Sequence, residues 1–393
     1  MTTPRSAMTK TRLMTPGPTA VPEAVLLEMA QPIIHHRTKA FQAIYKDLSE
    51  RLQRLFETTG PVLTIAGSGT TAFEAAQVSL AKPGSKTLTI AGGKFGERWQ
   101  DVYDVYVRPL GLAENVRLDV PWGEAVTADQ VAAALKAHPE ISVITVVHSE
   151  TSTATACDIQ TIAKVVADSD ALLLVDGITS VGAMPVKQDA WGIDVLVTGS
   201  QKAMMLPPGL GFVGLGPRAV KRLSEVGEIP AYNLDLRKWL KSWEKNDVPF
   251  TPPVSLIRGQ RLALELIEAE GFTNVHARSH CLASATRQAF ESMGLELISK
   301  SPSDSVTGAF YPEGVNDSAF RSSLRDNHAI HIAGGQDGRG AKWKNNIFRI
   351  SHMGYVDAGD TLATLAAVEA ELIAAGAKIN AGAALATVAK LLA

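Results

Sequence analysis

The chain has 393 residues, 38 basic and 40 acidic side chains, a formal net charge of −2 at pH 7, 46% hydrophobic residues and 20% charged ones. That balance fits a water-soluble globular protein with a sizeable core and excludes a polyanion-binding or membrane-surface protein that works through bulk charge. The length exceeds what one core comfortably serves, so a large domain with a smaller companion is expected.

Met1 to Lys10 mixes Thr, Arg, Ser and Lys with no apolar segment behind it, which argues against a signal peptide or an anchor. No run of about 18 apolar residues occurs anywhere, Leu391-Leu392-Ala393 lacks the peroxisomal tripeptide, and a soluble, cytoplasmic protein is expected. Cys157 and Cys281 show neither a disulfide framework nor metal-ligand spacing, which suits a reducing compartment.

In chain order, apolar runs at Val62–Ile65, Thr87–Ile90, Val143–Val147, Ala171–Val175, Val195–Val197 and Gly211–Gly214 alternate with helical patterns near Ala72–Leu80, Ala128–Ala137 and Ile159–Ala167. Strands that are apolar throughout are buried on both faces, so the pattern predicts a mostly parallel sheet covered by helices, with ligands collecting beyond the carboxyl ends of the strands. Pro252-Pro253 then opens a long helix running toward Glu270-Gly271. Beyond it the pattern becomes α+β, with a helix near Thr273–Met293, short strands near Leu295–Ile298 and Gly308–Tyr311, and helices near Ser318–Arg325 and Ala358–Ala375. An alanine-rich tail helix follows Gly376. The expected division is an N-terminal arm (1–20), a large α/β domain (21–270) and a small C-terminal α+β domain (271–393).

Several motifs fall on the ligand edge of such a sheet. Lys202 follows the Val195–Val197 run within Gly199-Ser200-Gln201-Lys202, and Asp176 ends the run before it. An aspartate and a lysine on neighbouring strand ends can flank one flat cofactor ring. Pyridoxal phosphate (PLP) needs that pair: an amine for a Schiff base with its aldehyde, and a carboxylate to keep the pyridine nitrogen protonated. Gly67-Ser68-Gly69-Thr70-Thr71-Ala72 joins a strand to a helix, where free N–H groups and the positive helix end bind an anion. It also matches the dinucleotide fingerprint, but the second strand ends Ile90-Ala91-Gly92-Gly93 without the acidic residue that such a fold places there, which favours a single phosphate. Phe95, between Gly93 and Gly96, is placed to stack on a flat ligand or to plug the core. His148-Ser149-Glu150-Thr151-Ser152-Thr153 gathers hydroxyls at the same edge, for a ligand or as a helix cap before Asp158.

With these motifs in this order, the chain resembles a class V aminotransferase of PLP fold type I, and within it the alanine–glyoxylate and serine–glyoxylate group. The resemblance runs from Thr15-Pro16-Gly17-Pro18 to Phe348-Arg349-Ile350-Ser351-His352. It implies a large domain with a seven-stranded type of sheet and a homodimer with shared active sites. It further implies Lys202 as Schiff-base lysine, Asp176 as partner of the pyridine nitrogen and Phe95 as stacking ring. Ser68, Gly69 and Thr70 would hold the phosphate, helped by Ser200 or Gln201 and by Thr251 of a neighbouring subunit. Thr151 would lie beside the ring, Gly17 would line the substrate pocket and Arg349 would take the substrate α-carboxylate. Some relatives stack with tryptophan in place of Phe95, and the tyrosine that some carry before the equivalent of Thr251 is absent from Val248-Pro249-Phe250. The implied reaction moves an amino group from a small L-amino acid, alanine or serine, to glyoxylate or another small 2-oxo acid in a ping-pong cycle. Aspartate is the alternative donor, with His35, His36 and Arg37 as candidate contacts for its side chain. A desulfurase fits less well, because Gln201 and not histidine precedes the lysine and neither cysteine lies in a glycine-rich active loop. A non-catalytic nucleotide-binding module would leave Asp176, Lys202 and Arg349 together unexplained.

Overall fold

The computed structural model describes residues 10–391. The segment before Lys10 and the last two residues, which bear on the reading of both termini, lie outside the described residues.

The central sheet has seven strands: β1 (Val62–Gly67), β2 (Lys86–Ala91), β3 (Glu114–Asp119), β4 (Ile141–Val147), β5 (Leu172–Asp176), β6 (Val195–Gly199) and β7 (Gly209–Leu215). Their spatial order is β1-β7-β6-β5-β4-β2-β3. Every neighbouring pair is parallel except those of β7, which runs against β1 and β6. The loop 200–208 between β6 and β7 is shorter than the dozen or so residues that a parallel crossover needs, so the chain turns back on itself there. All of β4, β5 and β6 is buried.

Helix starts explain the spacing of the layers. Ser68, Thr127 and Asp158 each accept a backbone N–H of the helix that follows, at Gly69–Leu80, Ala128–Ala137 and Ile159–Ala167. Strand β3 and helix Lys39–Phe56 are among the elements that went beyond the sequence expectations. Strand β3 sits at the sheet edge, where Glu114, Arg117 and Asp119 alternate with apolar residues and no continuous apolar run forms. Helix Lys39–Phe56, capped by Thr38, buries Phe41, Tyr45, Leu48, Leu52 and Phe56 ahead of the sheet.

A second, smaller core lies C-terminal to helix Val254–Glu270 and gathers Phe290, Phe320, Phe348, Ile350 and Leu365. It is built on helix Phe272–Met293 and on an antiparallel sheet of β8 (Val306–Phe310), β9 (Ala333–Gly334) and β10 (Ile347–Ser351), ordered β8-β10-β9. The strand expected at 295–298 shrinks to one bridge, Leu297 to Ala309. Pairing stops there because the chain turns away, and Lys300 N–H donates to Gly123 O of the other unit at 2.8 Å.

The N-terminal arm ties the two cores together. Arg12–Leu13 pairs in parallel with Ile330–His331, Met14 is buried in the second core, and Ser351 N–H donates to Met14 O at 2.8 Å. Farther on, Thr19 N–H donates to Gln201 O and its hydroxyl to Lys202 O, so the arm crosses directly over the candidate lysine.

Candidate active site

Parallel topology brings the carboxyl ends of β1, β2, β4, β5 and β6 to one edge, and the reversed β7 adds its first residue there, with Gly209 opposite Gly67. Asp176 closes β5 and is 3% exposed. Its Oδ2 accepts from Trp99 Nε1 at 2.7 Å and its Oδ1 from Ile178 N–H at 2.8 Å. Burial pushes its pKa from 3.8 up to about 7 against the pull of these two donors. Trp99, which the motif reading left without a role, is held by near-parallel stacking on Phe73 at a centroid separation of 3.9 Å. Its signal was present in the sequence, since it stands one helical turn after Phe95 in helix Lys94–Tyr106 and on the same face.

Lys202 lies three residues beyond the end of β6. Its Nζ donates to Pro16 O at 2.5 Å, and burial draws its pKa from 10.5 down to about 8. Gly17 abuts that amine: a Cβ there would stand 2.1 Å from Lys202 Nζ, and φ is +132°. Only glycine satisfies both constraints.

Arg349, in the middle of β10, is 5% exposed and is no surface arginine. Its Nε and Nη2 donate to Gly334 O at 3.1 and 2.7 Å and its Nη1 to Thr151 O at 2.6 Å. Burial lowers its pKa to about 10. Thr151 therefore meets the arginine through its carbonyl.

The phosphate candidates separate into two groups. At the start of helix Gly69–Leu80 the Ser68 hydroxyl accepts from Thr71 N–H and Ser68 O from Ala72 N–H. The first amides, of Gly69 and Thr70, point out of the helix end. Gln201 Oε1, an acceptor, is buried without a hydrogen-bond partner among the described residues. It comes within 3.2 Å of the point where a Gly199 Cβ would sit, and Gly69 N lies 3.1 Å from that same point. The Ser200 hydroxyl is committed elsewhere, donating to Pro207 O at 2.8 Å and accepting from Leu210 N–H at 3.2 Å. Thr251 is exposed and takes no part in the hydrogen bonds that join the others. Near it in sequence, Asp247 and Val248 O accept from Arg37 at 2.6 and 2.9 Å, which places the 35–37 and 247–251 segments on one patch.

These residues fit pyridoxal phosphate. The free amides of a helix N-terminus suit the phosphate, with the Gln201 side chain beside them able to donate through its N–H₂, a buried carboxylate can meet a cationic ring nitrogen, and the lysine has a lowered pKa. Clefts of about 710 and 650 Å³ lie along β3 and the 339–346 loop, but none of Lys202, Asp176 or Arg349 lines them. Lys202 packs instead against Pro16 and Gly17 of the N-terminal arm.

Residues 13–360 match the family model for class-V aminotransferases, and the chain belongs to that family. It is accordingly a transaminase, and pyridoxal phosphate is its cofactor. The chain is 40% identical to an uncharacterized aminotransferase of Methanocaldococcus jannaschii over 94% of its length and 95% of the relative's. It is 35% identical to the L-aspartate–glyoxylate aminotransferase of Paracoccus denitrificans, over 93% of this chain and 92% of the relative. Among solved structures, pyridoxamine-pyruvate aminotransferase from Mesorhizobium loti superimposes with a TM-score of 0.91, covering 98% of each chain at 28% identity.

Proposed function

We propose that the chain transfers the amino group of a small L-amino acid, alanine or serine, to glyoxylate or a similar 2-oxo acid, in two half-reactions at one site. The observation that carries this reading is the set of half-buried Lys202 and buried Asp176 and Arg349, each held by neutral partners and, among the described residues, none within ion-pair distance of an opposite charge. Such groups are open to a ligand's charges. Bound cofactor supplies an electron sink for the substrate's α-carbon. Arg349 docks the α-carboxylate common to donor and acceptor, because its planar fork binds any carboxylate in a bidentate way. Lys202, with its pKa drawn toward 8, has an appreciable neutral fraction and carries the α-proton at Nζ. Asp176, aimed by Trp99 and Ile178, keeps a proton on the ring nitrogen. The helix start at Ser68, Gly69 and Thr70, with the Gln201 amide, holds the phosphate. Phe95 supplies the stacking face, Thr151 the ring-side hydroxyl, and Gly17 keeps the pocket wall against Lys202 bare.

A second reading makes aspartate the donor, favoured by the 35% identical aspartate–glyoxylate relative and by the cationic His35-His36-Arg37 segment. Mixing the holoenzyme with alanine, serine and aspartate separately, and following conversion of the cofactor to its amine form by absorbance, tests both. Fastest conversion by alanine or serine supports the first reading. Preference for aspartate establishes the second, and no conversion by any of the three refutes both.

The working unit in this reading is a cytoplasmic homodimer. Support comes from the patch that carries Arg37, Asp247 and Thr251, where the exposed Tyr232 lies against Phe250. Mixing the Lys202→Ala and Thr251→Ala variants then restores part of the activity through hybrid sites, and a fully active monomer in light scattering overturns the dimer. The two apolar cores support a division near residue 270, although Phe272 and Val275 at the start of the next helix still pack on the larger core, and burial of Met14 in the second core attaches the arm to the small domain.

A further inference from the structure

The helix that brings Phe95 and Trp99 to the site begins without a side-chain cap of its own. Its N-cap residue is Gly93, and the amides of its first turn find partners on another segment. Lys94 N–H donates to Ser152 Oγ at 2.8 Å, and Phe95 and Gly96 N–H both donate to Glu150 Oε2 at 3.0 and 3.1 Å. Glu150 Oε1 accepts from Ser152 N–H at 3.1 Å and from the Ser152 hydroxyl at 2.6 Å. Four donated hydrogen bonds thus converge on one carboxylate that is 4% exposed, and Ser152 is fully buried. Negative charge beside a helix N-terminus is favourable, and the buried donors have no water to replace it. Gly93 is required by the same arrangement, since a Cβ there would lie 2.3 Å from Glu150 Cγ.

The residue between the two clip residues reaches the other half of the site, because Thr151 O accepts from Arg349. We propose that Glu150 and Ser152 form a positioning clip that caps the Lys94–Tyr106 helix from outside. The clip sets Phe95 against the cofactor face and Trp99 against Asp176, and it locks both to the strand position of Arg349. Neither clip residue touches the reacting atoms. Their work is to hold three consecutive backbone N–H groups at fixed positions, which fixes the two aromatic side chains one turn apart on the helix.

The cofactor part of this inference rests on the proposed roles of Phe95 and Asp176, whereas the clip itself is testable in cofactor-free protein. Glu150→Gln keeps the side-chain size but turns an N–H₂ toward one pair of donors. Weakening of charged hydrogen bonds of this kind predicts a rise of about 10- to 100-fold in the PLP dissociation constant, read by quenching of tryptophan fluorescence. It also predicts a fall in kcat with little change in KM, and faster amide exchange at residues 94–96 of the PLP-free protein while the sheet amides keep their protection. Ser152→Ala, and Gly93→Ala whose methyl group displaces Glu150, should each reproduce these changes in smaller degree. They decide the matter if Glu150→Gln does not fold. Wild-type PLP affinity and wild-type exchange at 94–96 in the variants overturn the clip. So does a general loss of protection with PLP affinity intact, which is the mark of a merely structural residue. Failure of the wild-type protein to bind PLP would instead remove the cofactor reading, leaving the exchange data to judge the clip.

Discussion

Charged groups are handled in opposite ways at the buried site and on the outer face where helix Lys39–Phe56 meets helix Val254–Glu270. On the outer face Arg51 bridges Asp47 and Glu268, and Arg54 joins Glu268 at 2.8 Å, side chain to oppositely charged side chain. At the buried site Lys202 leans on Pro16 O, Arg349 on Gly334 O and Thr151 O, and Asp176 on an indole and a backbone amide. Partners that are dipoles satisfy hydrogen bonds without cancelling charge. The buried groups therefore keep pKa values displaced by desolvation and stay available to a charged ligand, while the surface charges neutralise one another and contribute little.

That contrast is open to four tests, taken from the largest expected effect downward. Lys202→Ala should lower kcat by about a thousandfold or more, since a positioned general base commonly supplies 10²–10⁴. Borohydride reduction of the PLP-loaded enzyme followed by peptide mapping should label Lys202, and a label on another lysine would remove it from the site. Arg349→Ala should cost about 2 to 4 kcal/mol in kcat/KM with amino donor and oxo acceptor alike, and Arg349→Lys an intermediate amount. PLP loading should be unchanged in both, and loss in one half-reaction alone would break the shared-carboxylate role.

The third test concerns pH. Asp176 has a folded pKa raised from 3.8 to about 7, so between those values the folded, cofactor-free protein binds more protons than the unfolded chain. Stability should then fall as pH rises from about 4 to about 7, by at most about 4 kcal/mol for this group. Asp176→Asn should flatten that part of the pH profile in urea melts of PLP-free protein. Bound PLP should also flatten it in the wild type, because a cationic ring nitrogen draws the carboxyl pKa back down. An unchanged slope in the variant would show that Asp176 is not titrating there. The smallest effect belongs to the outer face: Arg54→Ala should change unfolding free energy by less than about 1 kcal/mol, with the difference shrinking in added salt and turnover unaffected.

Much of the molecule was legible in the sequence because local chemistry and burial pattern agree. Strands buried on both faces are apolar, so β1, β2 and β4 to β7 stand out, whereas β3, exposed or half-exposed along its whole length, does not. Gly67 to Thr70, Asp176 and Lys202 could be singled out as candidates because each lies at or just past the end of an apolar run, on the edge where such sheets collect ligands. Tertiary structure alone decided the rest. The Ser200 hydroxyl, a phosphate candidate by type, is taken by Pro207 O once the 200–208 loop folds back, whereas the Gln201 side-chain oxygen has no partner among the described residues. That Trp99 reaches Asp176, 77 positions away in the chain, and that Glu150 caps a helix 54 to 55 positions earlier, depends on how far apart strands and helices settle. Periodicity along a chain specifies which face of an element is buried. Which buried polar group meets which is set only when the elements pack, because a hydrogen bond demands a fit of tenths of an ångström that no local pattern encodes.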